Sequence, residues 1–239
     1  MKKAFRRVRK KLILGFLARG YHIPIGFLDK YRELVYLREL LIKERIDCVL
    51  DVGANIGQFA EDLRYIGFAG RIISFEPIKA EFEKLSRLFA NDANWKGYQI
   101  ALGSETGVQK INISADSMLS SLLENSAYVD FDHQETVTVQ RLDQIFDSLD
   151  IGADNARVLL KTDAQGYDIE VFKGASSCIE RITAVLAEIS AKPLYENVPD
   201  YKQALQVYQD AGFKLVNITI VFRSDKDEVI DMNCLLKRV

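Results

Sequence analysis

The chain reads as an α/β domain built on an open, doubly wound sheet, mostly parallel with an antiparallel last strand. Three observations carry this reading. From Cys48 onward, short apolar runs alternate with amphipathic stretches, the pattern of parallel strands joined by helices. The first run ends in a turn with glycines at Gly53 and Gly57, suited to a sharp strand-to-helix connection. Between the last two runs lies the polar stretch 223–227, a hairpin-type link that makes its strands antiparallel.

Taken in order, Cys48–Val52 is a buried strand, 53–57 a turn and 58–66 a helix. Residues 71–75 form a second strand, stopped by Glu76-Pro77. Phe82, Leu85, Leu88 and Phe89 then repeat at helical spacing within 79–91. The run 98–102 is a third strand, closed by Gly103. Residues 104–156 are the least regular part. They hold two alternating segments, 108–113 and 135–141, suited to antiparallel strands, around a polar loop at 114–134. Regular alternation resumes with a strand at 157–162, a helix at 168–178 and a strand at 184–189. A helix at 201–211 is followed by Gly212 in a good C-terminal capping position. Strands at 214–222 and 233–237 complete the sheet. No internal repeat or low-complexity linker divides the chain, so one domain at 46–239 follows a basic helical extension at 1–45.

Composition narrows the classes. The 239 residues suffice for one full core, and 48% apolar with 28% charged residues excludes a disordered chain. A net charge of -2 gives no whole-protein signature of nucleic-acid binding, and no nucleic-acid partner is expected. Cys48, Cys178 and Cys234 are scattered and odd in number, which fits a reducing, cytoplasmic setting better than a disulfide framework. Only His22 and His133 are available, too few for a histidine-rich metal centre. Residues 1–11 carry seven Lys or Arg, followed by an apolar run at 12–18. Arg19 follows at once and no small-x-small cleavage site appears, which argues against a signal peptide. Three readings stand for this segment: peripheral contact with an anionic membrane, contact with a partner, or a solvated basic arm.

The turn after the first strand is the sharpest signal. Asp51 enters a Gly53-x-x-x-Gly57 turn, and the next helix presents its N-terminal N–H groups beside it. A dinucleotide fingerprint has G-x-G-x-x-G, with a third glycine that is missing here. An acid two residues before the first glycine instead resembles motif I of class I methyltransferases, where it faces the cationic methionine end of S-adenosyl-L-methionine. Glu76 ends the second strand, where a carboxylate can take both ribose hydroxyls.

The resemblance extends further. DVGANIGQF at 51–59, FEP at 75–77, ALG at 101–103, RLD at 141–143, LLKTDAQGYDIEVFKGA at 159–175 and PLYE at 193–196 resemble the FkbM methyltransferase family across 48–237. That resemblance implies a seven-stranded Rossmann-like sheet and S-adenosyl-L-methionine as cofactor. It implies cofactor contacts from Asp51, Gly53, Asn55, Gly57, Glu76, Ala101 and Ser121. It also implies methylation of a hydroxyl on a sugar, glycan or secondary metabolite. The first forty-odd residues and the segment Asp231-Met232-Asn233-Cys234-Leu235 depart from the family's pattern, which leaves the acceptor open.

Methyl transfer to a hydroxyl requires a group to take its proton. Asp163, at the end of the fourth parallel strand in the crevice of Asp51, is the first candidate, although an Asp there also suits a helix cap. Glu188 ends the next strand and offers a second carboxylate. The two together suit an acid–base pair or a shared divalent cation. His133 is a third candidate, in a polar segment where a histidine is usually solvated. Lys161 reads as turned to the opposite face. Tyr128 and Phe131 suit a lid over the acceptor. The competing functions are an NAD-dependent oxidoreductase in the same crevice and a non-catalytic membrane-surface adaptor.

Overall fold

The structure, a computed structural model, describes residues 15–16, 18–115, 117–123, 130–153, 155–192 and 198–239. Tyr128 and the 193–196 motif lie outside them. In chain order come α1 (Ile25–Lys43), β1 (Cys48–Val52), α2 (Gln58–Tyr65), β2 (Arg71–Phe75), α3 (Lys79–Leu88) and β3 (Trp95–Tyr98). The middle segment forms β4 (Ala101–Leu102), β5 (Gly107–Ile113), β6 (His133–Gln140) and the one-turn α4 (Leu142–Ile145). The last part contains β7 (Val158–Thr162), α5 (Asp168–Lys173), β8 (Ile182–Ser190), α6 (Tyr201–Asp210), β9 (Phe213–Arg223) and β10 (Val229–Arg238).

The main sheet has seven strands in the order β3-β2-β1-β7-β8-β10-β9. The first five are parallel, and β10 lies antiparallel between β8 and β9. This is the Rossmann-like, mostly parallel sheet with an antiparallel last strand that the pattern predicts. All five residues of β1 and of β7 are buried, because both faces of the sheet are covered. Leu50, Leu160, Phe172, Tyr208 and Phe213 belong to the core on one face. Val49, Leu63, Leu85, Leu159 and Leu235 belong to the core on the other. The order of connection reverses between the parallel strands β1 and β7, and the crevice that binds ligands in such sheets opens there.

Three elements differ from the sequence reading. The run at 98–102 is divided between two sheets. Glu76 N–H donates to the Tyr98 carbonyl (3.1 Å) as the last link to β2, after which β4 pairs with β6 in a separate three-stranded sheet. β3 begins earlier, at Trp95, whose ring stacks on Phe89 (5.4 Å) and whose Nε1 donates to Ser74 Oγ (3.1 Å). The helix expected over 168–178 ends at Lys173, and Ser176–Arg181 is a 3-10 helix. Gly174 follows the last helical residue and packs on the Gly103 carbonyl, which an added Cβ would meet at 2.0 Å. Third, the C-terminal half of α1 does not behave as an appendage. Leu37, Leu40 and Leu41 are buried in the same core as Val49, Leu63 and Leu235. Packing therefore divides the 1–45 segment inside its helix rather than at its end.

Candidate active site

The β1–α2 turn builds one wall of the crevice. Gly53 and Ala54 N–H groups both donate to the Phe75 carbonyl (3.0 and 3.1 Å), tying the turn to the end of β2. Gly53 has φ +70°, and a Cβ there would lie 1.9 Å from the Asp163 carbonyl oxygen. Gly57 has φ +104° and would clash with Leu85 and Phe89 of α3 at 2.9 Å. Without Cβ atoms at these two positions, the turn packs directly on the loop after β7 and on the side chains at the end of α3.

Asn55 completes the turn in the left-handed region, at φ +47°. Its N–H donates to Glu76 Oε2 (2.8 Å), and its Nδ2 donates to Ser117 Oγ (3.1 Å). The Ile78 N–H donates to Glu76 Oε1 (2.8 Å). Glu76 is only 4% exposed, and burial pushes its carboxyl up to about 7 despite the two backbone donors. Each oxygen carries one backbone bond and keeps a lone pair.

Across the crevice, Asp51 and Lys161 are register partners of β1 and β7, so their side chains share one face. Lys161 Nζ lies 3.0 Å from Asp51 Oδ1 and 3.6 Å from Asp163 Oδ2. It also donates to the carbonyls of Val52 (3.3 Å) and Gly53 (3.1 Å). Burial works against the ammonium, but Asp51 and Asp163 outweigh it and raise its pKa. Asp51 itself is fully buried and does not line the crevice, whereas Lys161 does. The expectation that Asp51 faces the ligand and Lys161 turns away is thus corrected on both counts.

Asp163, Gln165 and Glu188 form the third group. Gln165 sits at φ +49° ahead of Gly166 at φ +86°. Its Nε2 donates to Asp163 Oδ1 (3.0 Å) and Glu188 Oε2 (3.1 Å), and Ser121 Oγ donates to its carbonyl (2.8 Å). Burial alone would raise Asp163, but Lys161 and hydrogen bonds from Glu188 and Gln165 hold it below the usual carboxylate value. Burial and the Asp163 charge push Glu188 well above it. Among the described residues, no group of three or more His, Cys, Asp and Glu is placed to hold a metal ion.

These groups surround a cleft of about 1020 Å³, room for a cofactor and a second small molecule together. Gly53, Asn55, Glu76, Ala101, Ser121, Asp163 and Glu188 line it; Asp51, Gly57 and His133 do not. His133 begins β6 with its side chain 58% exposed, 3.5 Å from Glu135, and we remove it from the catalytic candidates. Phe131 is also absent from the walls. Besides Lys161, the sequence reading missed Glu33 of α1, which is buried, lines the cleft and accepts a hydrogen bond from Asn233 Nδ2 (2.7 Å). No spacing rule links residues 200 positions apart, so only the fold reveals that pair.

A family model described as the methyltransferase FkbM domain matches residues 51–215. No curated protein sequence matches the chain. Among solved structures, magnesium protoporphyrin IX methyltransferase from Synechocystis PCC 6803 with bound S-adenosylmethionine is 9% identical, covering 92% of this chain and 86% of that one at a TM-score of 0.50. A Listeria monocytogenes protein assigned to the S-adenosylmethionine-dependent methyltransferases is 9% identical, covering 89% of this chain and 99% of that one, also at 0.50. Aeropyrum pernix fibrillarin with bound S-adenosyl-L-methionine is 14% identical at a TM-score of 0.47, and the alignment covers 80% of this chain and 66% of fibrillarin.

Proposed function

Because the chain belongs to the FkbM methyltransferase family, we propose that its cleft transfers a methyl group from S-adenosylmethionine to a hydroxyl of a sugar, glycan or secondary metabolite. The single observation that carries the choice of hydroxyl is the pair of carboxyl groups Asp163 and Glu188 on the cleft wall, bridged by Gln165 Nε2 at 3.0 and 3.1 Å.

The residues fit the cofactor. Glu76, with one lone pair left on each oxygen, suits the two hydroxyls of a ribose. Pro77, Ile78, Ala101 and Leu102 supply an apolar slot beside it for a planar base. Lys161, its donors taken by Asp51 and the Val52 and Gly53 carbonyls, offers a fixed positive charge to the carboxylate of the methionine end. In this reading Asp51 acts through Lys161 and does not touch the cofactor. S-adenosylmethionine, when bound, supplies an electrophilic methyl group on a sulfonium.

The chain's own task is then to hold the acceptor oxygen in line and to remove its proton. Asp163 is the charged member of the pair and its side chain is 40% exposed, so it accepts the hydrogen bond of the incoming hydroxyl. That hydroxyl becomes strongly acidic as its oxygen bonds carbon, so a carboxylate held below its usual value still takes the proton. Glu188 keeps its proton and, with Gln165, fixes the Asp163 carboxylate in place. Glu33 and Asn233 lie on the acceptor side of the cleft, where their polar groups suit a molecule with several hydroxyls.

The test is transfer of isotopically labelled methyl from S-adenosylmethionine to a panel of hydroxylated acceptors. Asp163→Asn should lower turnover by roughly 100-fold or more while cofactor affinity stays within a few-fold. Glu188→Gln, which keeps a donor toward Asp163, should cost less than Asp163→Asn. Normal turnover by Asp163→Asn would remove it as the base, and transfer only to amines would remove the hydroxyl assignment.

A further inference from the structure

Helix α1 is apolar on two opposite sides. Its inner side carries the buried Leu37, Leu40 and Leu41, and upstream on that side Gly26, Lys30 and Glu33 line the cleft. The helical repeat places Phe27, Tyr31, Val35 and Ile42 on the outer side. They are 72%, 69%, 37% and 61% exposed. A surface helix normally turns one apolar stripe inward and charge outward, whereas this second stripe stands exposed among the described residues. Tyr21 and Ile23, just upstream, are also exposed. So are Val221 and Phe222 of β9, the strand along which α1 packs, and both of these line the cleft.

Charge is distributed as unevenly. Residues 1–45 hold 13 Lys or Arg against 4 Asp or Glu, while the remaining residues hold 19 against 30. Seven of those 13 basic residues precede position 12.

We propose that the outer face of α1 docks on an anionic lipid bilayer, favoured by the positive charge of residues 1–45, setting the mouth of the cleft at the membrane surface. Basic residues meet the headgroups, and Phe27, Tyr31, Val35 and Ile42 enter the boundary of the acyl region, the arrangement of an interfacial helix. No helix among the described residues is long and apolar enough to cross a membrane, so this helix lies on the surface. Two other occupants match fewer of these features. A second copy of the chain would bring together two segments of the same strong positive charge. A nucleic acid would meet the charge but leave Phe27, Val35 and Ile42 without an apolar partner. One helix, about 10 Å across, then separates lipid from cleft, so the acceptor hydroxyl comes on a lipid-anchored molecule. That last point alone rests on the methyl-transfer reading; docking does not.

The experiment is co-sedimentation of the full-length chain with phosphatidylcholine vesicles, with and without phosphatidylglycerol, at low and high salt. The chain should pellet with the anionic vesicles only, and less at high salt. The double variant Phe27→Ser/Tyr31→Ser should lose about tenfold or more of that binding. So should the variant Arg6→Gln/Arg7→Gln/Arg9→Gln/Lys10→Gln/Lys11→Gln. Both should keep the wild-type melting temperature and S-adenosylmethionine titration, which separates lost docking from lost folding or a failed cofactor site. Absence of binding to anionic vesicles overturns the proposal, as does equal binding by Phe27→Ser/Tyr31→Ser. A dimer in light scattering that the double variant dissolves, or retention of an RNA oligonucleotide, overturns it when vesicle binding is absent.

Discussion

The chemistry of the cleft is decided by how individual side chains hold or release protons. Glu76 has a pKa of about 7 because it is buried, and hydrogen bonds from a bound diol favour its charged form. Cofactor binding should therefore release a proton near neutrality. Affinity for S-adenosylmethionine should weaken below pH 7, by at most about tenfold per unit. Titration calorimetry between pH 8 and pH 5.5 reads this directly. Glu76→Gln should weaken binding and flatten the profile, whereas an unchanged slope in that variant would place the titrating group elsewhere. Lys161 shows what the sequence could not convey at this scale. Its spacing from Asp163 is visible, but its role depends on lying opposite Asp51 in the neighbouring strand, and register is a property of the folded sheet. Glu76, Asp163 and Glu188 were legible because each ends a strand of an open α/β sheet, where ligands sit. His133 misled because residue type alone suggested a base, while its position at the start of an exposed strand keeps it from the cleft.

Among elements, the two cleft turns depend on each other. Gly53 approaches the Asp163 carbonyl so closely that Gly53→Ala must displace the loop carrying Asp163 or strain the β1 turn. We expect a loss of roughly 3 kcal/mol in stability, read by urea unfolding, together with loss of turnover. A fully stable and active Gly53→Ala variant would contradict the tight contact. The strands of the main sheet were legible because two covered faces leave continuous apolar runs. The division of 98–102 was not, since an apolar run does not say which sheet it joins. α4 was missed because one turn gives too little periodicity to detect. α1 was read as an extension from its charge, whereas Leu37, with 1% exposure, ties it to the core. Leu37→Ala should cost about 2–5 kcal/mol and lower the melting temperature of the whole domain in one transition. Separate melting of α1, or no change, would show that the helix is peripheral.

For the whole molecule, several buried acids act in one direction. Glu33, Glu76, Asp168, Glu188 and Asp231 all have raised folded-state pKa values, with Glu76 and Asp168 at about 7. A raised acid contributes stability that is full below its unfolded value and is lost as pH rises through the folded one. The acids held low, among them Glu44, Asp92 and Asp143, are ionised in both states above pH 5 and do not oppose this. The ligand-free protein should therefore melt at a lower temperature at pH 8 than at pH 5.5, and Glu76→Gln should reduce the difference. S-adenosylmethionine should raise the melting temperature most at pH 8, where Glu76 is charged. The cost of ionising these acids lies around the cleft at the topological switch of the sheet, so the site weakens the fold there and a ligand restores it. The most direct measurement of the central claim is isothermal titration with S-adenosylmethionine, its demethylated product and NAD, on wild type and Glu76→Gln. The first two should bind the wild type, NAD should not, and Glu76→Gln should weaken both. Binding of NAD alone would contradict it.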